Sequence, residues 1–279
     1  MKLPGLRTSK YLAAVLIIIC SSLNFITAQS AAKKKPSPQW WLNSSLADKI
    51  DRYLFHVEGQ FNYAKMTGAI EGEMQSGSAK IAIRKNIFTL QAEYIIDKIN
   101  LTIKSFGMNY AAKLHAFTNY LDVGITRLLY SEAGFIWESD DSLLIKNRYT
   151  LYAGAGLNGL IFKKHYLKIL IALGKINQYY TIPVDDIDVV KGAYSAFYVR
   201  QRYKYVIDQR FSFMEEAYYQ ANLNYSNRYR MGVSLNFSIS IIQPVSLILG
   251  YNYKYDKESE LIGAIAKNST QTIGFNVSL

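Results

Sequence analysis

An unbroken alternation of apolar and polar residues runs from Tyr229 to Ile241. Seven large apolar side chains fall on one face, whereas Arg230, Gly232 and small polar residues fall on the other. Strands of soluble proteins are usually about 5–6 residues long, and a strand that crosses a bilayer at a tilt needs about 9–11. The length of the alternation therefore favours a membrane-crossing strand.

The same period of two recurs in segments 55–63, 148–158, 247–256 and 272–279. Their polar faces carry Arg, Glu, Asn, Gln, Ser and Gly, which suits a crowded, wet interior. We therefore predict an all-β fold for residues 54–279, a closed antiparallel transmembrane β-barrel of about 12 strands, with ten as the alternative. A soluble periplasmic barrel with an apolar interior is the rival architecture, because its apolar faces would point inward.

Fourteen segments are candidate strands, and some of the early ones are short enough to merge. The best turn signals are Asn86, the run Ser139–Asp141, Ser226–Asn227 and Gln243–Pro244. Segment 179–192 contains Pro183 and several charged residues, which predicts an exposed loop. The candidate strands are 55–65, 68–75, 78–86, 87–97, 100–110, 113–124, 126–138, 144–158, 166–179, 193–206, 212–225, 229–242, 245–257 and 269–279.

The first 28 residues have the three parts of a secretory signal peptide. Basic residues precede the apolar run Tyr11–Cys20, and a small polar segment leads to a cleavage position near Ala28. Cys20 is the only cysteine, so no disulfide framework is possible. We expect the mature protein in the outer membrane of a Gram-negative bacterium, with outer-membrane lipid and the barrel-assembly machinery as partners.

Residues 29–53 predict a basic tether followed by a short amphipathic helix. Lys33–Lys35 precede two prolines, and this run is either a solvated linker or a contact for anionic headgroups. In Gln39–Tyr53, apolar residues recur at steps of three and four. The helix could rest at a membrane interface, where Trp40 and Trp41 are favoured, or pack against the barrel.

The charge of the chain argues against a nucleic-acid partner. The formal net charge is +11, but six basic and no acidic residues precede Gln39, which leaves +5 for the remainder. This excess is modest and is not clustered. A small solute or ion is the more compatible partner for such a barrel.

Two groups of residues carry a resemblance to a known family. The first group is an acidic turn at Glu138–Asp141, the pair Arg148–Tyr149 and the segment Gly154–Gly156; the second is Tyr251–Asp256 followed by the final strand Thr270–Leu279. In these features residues 54–279 resemble the salt-stress-induced outer-membrane proteins of Gram-negative bacteria, a domain of unknown function. The resemblance implies a barrel and implies no enzymatic activity.

Charged residues on the predicted lumen faces form the candidate site. Glu132 should lie almost opposite Arg148, and Glu216 should face Arg200 across a turn near Asp208. Arg202 and Lys204 share the polar face of Arg200. This network either fills and stiffens the lumen or forms a constriction that favours anions. The predicted interfacial aromatic residues are Trp40, Trp41, Tyr203, Tyr205, Tyr251, Tyr253 and Tyr255.

Catalysis is the remaining class, as a lipid-modifying enzyme with a Ser/His pair. His56, His115 and His165 are scattered, and no Gly-x-Ser-x-Gly elbow or metal-ligand spacing accompanies them. We therefore predict no enzymatic activity and no cofactor. The favoured function is a structural or envelope-stress role with a largely filled lumen. A narrow anion-preferring channel is the main alternative.

Overall fold

The computed structural model describes residues 52–66, 70–103, 108–162, 164–181, 192–225, 227–261 and 266–279. In this part of the chain there are twelve strands, one 3-10 turn at Asp141–Leu143 and one short helix, α1 (Lys257–Leu261). The strands are β1 (Leu54–Met66), β2 (Ile70–Lys85), β3 (Phe88–Ile103), β4 (Met108–Gly124), β5 (Leu129–Asp140), β6 (Ile145–Phe162), β7 (His165–Tyr180), β8 (Gly192–Val206), β9 (Phe211–Asn222), β10 (Tyr229–Ile242), β11 (Val245–Asp256) and β12 (Lys267–Ser278). No helix among the described residues is long and apolar enough to cross a membrane.

The strands form a closed antiparallel barrel. Each strand pairs with its neighbour in sequence, and β1 pairs with β12, so that Glu58 lies opposite Ser278 and Tyr63 opposite Ile273. Closure leaves no unpaired strand edge, which is the arrangement that satisfies backbone groups in lipid. The predicted closed barrel of twelve antiparallel strands is confirmed.

Merging of adjacent segments reduces the fourteen candidate strands to the twelve that are observed. Segments 68–75 and 78–86 belong to β2, and the three candidates between 87 and 124 form β3 and β4. The gap between these two candidates lies inside β2, where Gly77 pairs with Phe61 on β1 and with Ile96 on β3. Pairing on both sides keeps this stretch extended, since strand formation depends strongly on its neighbours. Asn86 does form a turn, with a φ of 53°.

The outer wall is apolar and the interior is polar. Leu151 and Leu173 point outward and are 63% and 62% exposed, whereas Arg84, Asp122 and Arg148 point inward and are almost fully buried. This polarity is the inverse of a water-soluble barrel, because soluble monomers rarely expose apolar surface on this scale. The outer faces of the strands thus require apolar surroundings.

The two ends of the barrel differ in the length of their connections. At one end, the connections 86–87, 125–128, 163–164, 207–210 and 243–244 have two to four residues. We call this the short-turn end. At the other, the long-loop end, connections reach ten residues at 257–266 and eleven at 181–191. Outer-membrane barrels have short periplasmic turns and longer external loops.

Candidate functional site in the barrel lumen

Four buried charged side chains meet inside the barrel and define the lumen network: Asp122, Glu132, Lys168 and Arg200. The Arg200 Nη2 atom lies 2.6 and 2.7 Å from the two carboxylate oxygens of Glu132. The Lys168 Nζ atom lies 2.5 Å from Asp122 and 3.6 Å from Glu132. The two cations balance the two carboxylates, as buried charges require.

Tyrosine side chains pack around this network where glycines leave room for them. The Tyr152 hydroxyl donates to Glu132 at 2.8 Å, and the Tyr152 ring packs on that of Tyr198 at 5.2 Å. A Cβ atom at Gly134 would overlap the ring of Tyr152, and one at Gly156 would overlap a second tyrosine ring. The glycines of β5 and β6 therefore create the space in which the lumen network forms.

The expected pair of Glu132 and Arg148 is wrong. The register places Glu138 opposite Arg148, and Gly154 opposite Glu132. The connection between β5 and β6 lies at 141–144, so its centre falls about three residues beyond the position that the sequence indicated. Glu132 therefore meets a residue three strands away.

Glu216 was expected to face Arg200, but its partner is the next inward-facing residue on β8. Glu216 lies opposite Arg202, whereas Arg200 lies opposite Tyr218. Arg202 holds Glu216 with two nitrogen atoms, at 2.7 and 3.4 Å. Arg202 also donates to the Tyr120 hydroxyl, and Tyr120 lies beneath the guanidinium groups of Arg200 and Arg202 at 5.0 and 4.9 Å. Tyr120 thus joins the two ion pairs, and sequence reasoning did not identify it.

A second charged group crosses the lumen near the long-loop end. We call Glu138, Arg148, Arg230 and Asp256 the cross-lumen belt. Arg148 Nη2 lies 2.7 Å from Asp256, and Arg230 Nη1 lies 2.8 Å from Glu138. Glu138 also accepts from Arg148 at 3.2 Å. These bonds connect β5 and β6 with β10 and β11, so the belt narrows the passage there.

Helix α1 is attached to the same end of the lumen. The Asp256 Oδ1 atom accepts from the backbone N–H groups of Glu258 and Ser259 at 3.0 and 3.3 Å. The Glu258 carboxylate in turn accepts from Gln178 on β7 at 2.8 Å. These bonds hold α1 at the mouth of the lumen.

The lumen is filled on one side and open on the other. A cavity of about 1520 Å³ is lined mainly by β9–β12 and β1–β3, with further residues from β4, β5, β6 and β8. It touches Asp208 and Pro244 at the short-turn end, and Leu143 and Ala266 at the long-loop end. Its wall is rich in small polar side chains, such as Ser78, Ser234, Asn236, Ser238, Ser246 and Asn276.

Three lysines face this cavity without a hydrogen bond or ion pair among the described residues: Lys80, Lys204 and Lys254. Lys204 lies near the short-turn end of β8, and Lys254 lies near the long-loop end of β11. Glu93 and Asp97 also line the cavity, and the buried Asp97 Oδ1 atom has no hydrogen-bond partner in the ranges that the structure describes. Of the residues predicted for the charge network, only Lys204 combines exposure to the cavity with the lack of an ion partner in the described part of the chain.

The predicted aromatic residues occupy several environments. Tyr203 and Tyr205 alternate with inward-facing residues near the short-turn end of β8, and the ring of His165 stacks on Tyr205 at 4.4 Å. Tyr251 is 37% exposed and Tyr253 is half-buried, whereas Tyr255 is buried and donates to Glu260 at 2.6 Å. The remaining predictions lie outside the described residues: the signal peptide, the tether, the amphipathic helix, and Trp40 and Trp41 within it.

The three histidines lie apart from one another. His56 Nε2 is 3.4 Å from Glu58 on β1, His115 Nδ1 is 2.7 Å from the Tyr94 hydroxyl, and His165 lies at the start of β7. Among the described residues, no group of three or more His, Cys, Asp or Glu side chains could hold a metal ion.

A family model described as a protein of unknown function, DUF481, matches residues 112–278, which is more than half of the chain. The chain belongs to this family. The matched range begins within β4 and contains both the lumen network and the cross-lumen belt, whereas β1–β3 precede it. No curated protein sequence matches the chain at a significant level.

Solved structures with similar folds are outer-membrane proteins. The NanC porin is 11% identical, covers 81% of this chain and 100% of its own, and has a TM-score of 0.49. The KdgM porin is 10% identical, with 80% and 99% coverage and a TM-score of 0.45. The translocator domain of the autotransporter NalP from Neisseria meningitidis is 9% identical, with 97% and 96% coverage and a TM-score of 0.43.

Proposed function

We propose that this protein is an integral outer-membrane β-barrel that lets small polar solutes and ions pass through the open half of its lumen. One observation carries the proposal: a single cavity of about 1520 Å³ is lined by residues from both ends of the barrel. The proposal assigns no enzymatic activity and requires no cofactor. A role in envelope stress stays a prediction.

The outer wall supports placement in a membrane. Large apolar side chains such as Phe61, Leu151 and Phe275 point outward and are more than half exposed. Tyr203 and Tyr205 lie near the short-turn end, where outer-membrane barrels carry an aromatic girdle. The length of the connections orients the short-turn end toward the periplasm and the long-loop end toward the outside.

The distribution of ion pairs indicates which residues set selectivity. Arg148, Arg200 and Arg202 all bind carboxylates, so their charges are largely neutralised. The cavity lysines Lys80, Lys204 and Lys254 make no ion-pair contact in the described part of the chain and present positive charge to the passage, although Lys80 lies opposite Glu93 in the register of β2 and β3. Because Glu93 and Asp97 face the same space, the preference for anions should be weak.

The decisive experiment is single-channel recording from the refolded barrel in a planar bilayer under a salt gradient. We expect steady current steps. Their reversal potential should be shifted slightly from zero toward the equilibrium potential of the anion. A correctly folded barrel that conducts no current would contradict the channel proposal. The lumen network would then support the structural alternative, since it fills one side of the lumen with paired charges.

A further inference from the structure

Two lysines face each other on the outer wall of the barrel. Lys98 on β3 lies directly opposite Lys113 on β4 in the antiparallel register. Both are exposed, and their sequence neighbours Asp97 and Ala112 line the lumen, so the alternation of the strands directs the lysine side chains outward. Residues in this relation have Cβ atoms about 4.5–5.5 Å apart, and like charges at that spacing destabilise the strand pair.

The charges of the two lysines are not balanced by acids of the same wall. In the described part of the chain, neither ammonium group has an ion partner. Glu73 on β2 lies opposite Asn100, one outward-facing position beyond Lys98. Asp141 lies beside Lys113, but its Oδ2 atom accepts from the backbone N–H of Lys113 at 3.0 Å and not from the side chain. The pair therefore presents two positive charges to an external anion.

The lysines lie where the outer face of β3 and β4 changes from apolar to polar. β3 takes eleven residues from Phe88, at the short-turn end, to Lys98, and a strand crosses a bilayer in about 9–11. Over this length Phe88 and Tyr94 point outward and are 50% and 40% exposed. Beyond the lysines the exposed residues are polar, since Thr102 donates to Asn109 at 2.9 Å. Lys98 and Lys113 thus lie at the level of the headgroups on the long-loop side.

A third basic group lies beside the lysines. His115 is the next outward-facing residue of β4 toward the middle of the membrane, and its Nδ1 atom is 2.7 Å from the Tyr94 hydroxyl. When this hydroxyl donates to Nδ1, the neutral imidazole carries its proton on Nε2. Among the described residues Nε2 has no partner. It is then a hydrogen-bond donor next to the two ammonium groups.

We propose that Lys98, Lys113 and His115 bind the phosphate group of a lipid in the outer leaflet. A phosphate monoester carries close to two negative charges and accepts from several donors, so it removes the repulsion between the lysines. The acyl chains of the lipid cover the apolar wall below, where Leu90 and Leu121 lie opposite each other and are exposed. The inference rests on the membrane placement and orientation in the proposed function and is independent of conduction, because the site lies outside the lumen.

The test measures lipid binding to the refolded barrel in detergent by native mass spectrometry. The probe is lipid A, an acylated disaccharide with two phosphate monoesters, and the comparison lipid is the same molecule without phosphates. The wild-type protein should bind the phosphorylated form at least about tenfold more tightly. Lys98→Gln/Lys113→Gln should reduce the affinity for lipid A about 10–30-fold and leave that for the dephosphorylated lipid unchanged.

The matched control is Lys146→Gln/Lys175→Gln. It removes the same charge from exposed lysines of β6 and β7, but Lys175 lies opposite Leu151 and Lys146 lies at a bulge, so these two lysines do not face each other. The affinity for lipid A should stay within about twofold of the wild-type value. An equal loss in both double variants would mean that general surface charge attracts the lipid, which would overturn the site.

Lys98→Glu separates loss of binding from loss of folding. The new carboxylate forms an opposite-charge pair with Lys113 across the strands, so the barrel should be at least as stable to urea as the wild-type protein. Its preference for the phosphorylated lipid should nevertheless disappear. A variant that is stable and still prefers lipid A would contradict the proposal.

Two further outcomes assign the ligand. Inorganic phosphate in excess should displace lipid A only weakly, because the free ion lacks the acyl chains. Complete displacement would assign the site to free phosphate and overturn the lipid. A barrel that prefers lipid A but conducts no current would contradict the channel and keep this site, whereas a conducting barrel with equal affinity for both lipids would contradict this site alone.

Discussion

Arg200 on β8 binds the carboxylate of Glu132 on β5, and its Nη2 atom lies 2.6 and 2.7 Å from the two carboxylate oxygens. The two strands are not neighbours in the barrel, so the contact is made across the lumen by side chains alone. Both residues are at least 97% buried. The lumen network consequently connects strands that the backbone hydrogen bonds do not join.

Arg200→Met should destabilise the barrel strongly. Glu132 would keep Lys168 at 3.6 Å and the Tyr152 hydroxyl, while its buried negative charge would lose its main partner. Removal of one member of a buried ion pair costs about 3–5 kcal/mol. Urea unfolding of the refolded protein in lipid vesicles, followed by tryptophan fluorescence, measures the loss.

The control for this prediction is the double variant Arg200→Met/Glu132→Leu. Apolar side chains of similar size can replace a buried ion pair at little cost, so most of the lost stability should return. If the single variant were as stable as the wild-type protein, Glu132 would have to be well hydrated, contrary to its burial.

Gly134→Ala should weaken the packing around the lumen network. The added methyl group would overlap the ring of Tyr152, which must move and release its hydrogen bond to Glu132. Overpacking of this kind costs about 1–3 kcal/mol. The matched control is Gly59→Ala on β1, because nothing lies within 4 Å of a Cβ atom there. Equal unfolding curves for the two variants would contradict the steric argument.

Alternation predicts which residues face the lumen, because the side-chain period of a strand is two. Arg148, Arg200 and Glu132 were assigned to the interior on this basis, and all three are there. Their partners were not predictable in the same way. Arg148 binds Asp256, which is 108 residues further along the chain, so the contact depends on the closure and stagger of the whole barrel.

The alternation does not predict the orientation of inward-facing residues that are themselves largely apolar. Tyr120 and Tyr152 count as apolar residues in the alternation pattern, but both point inward. Glycines and charged side chains accommodate them there. No local sequence pattern predicts where the open half of the lumen lies, because its position depends on the sizes of side chains on opposite walls.

Lys204→Glu should shift the reversal potential toward cations. Lys204 lines the cavity and has no ion partner among the described residues, so reversal of its charge acts directly on passing ions. Lys175→Glu is the matched control, because Lys175 is exposed on the outer face of β7. An equal shift in both variants would mean that surface potential, and not the passage, sets selectivity.

The turn at Asp208 should contribute an acid-dependent part of the stability. Asp208 Oδ1 accepts from the N–H groups of Arg210 and Phe211 at 2.7 and 2.8 Å, and these bonds hold the pKa of Asp208 below its usual 3.8. This contribution is complete above the unfolded pKa and is lost as the pH falls through the lower folded pKa. Asp208→Asn should therefore flatten the stability profile below about pH 4, as measured by urea unfolding across that range. An unchanged profile would exclude this role.

Opening the cross-lumen belt should increase conductance. Glu138 and Arg230 lie five strands apart, and their 2.8 Å contact spans the passage near the long-loop end. Glu138→Gln/Arg230→Gln removes one charge of each sign, so the channel should widen with little change in reversal potential. Lys257→Gln/Glu260→Gln is the control, because that exposed pair lies within helix α1 and does not cross the lumen. An equal rise in conductance for the control would mean that the belt is not the constriction.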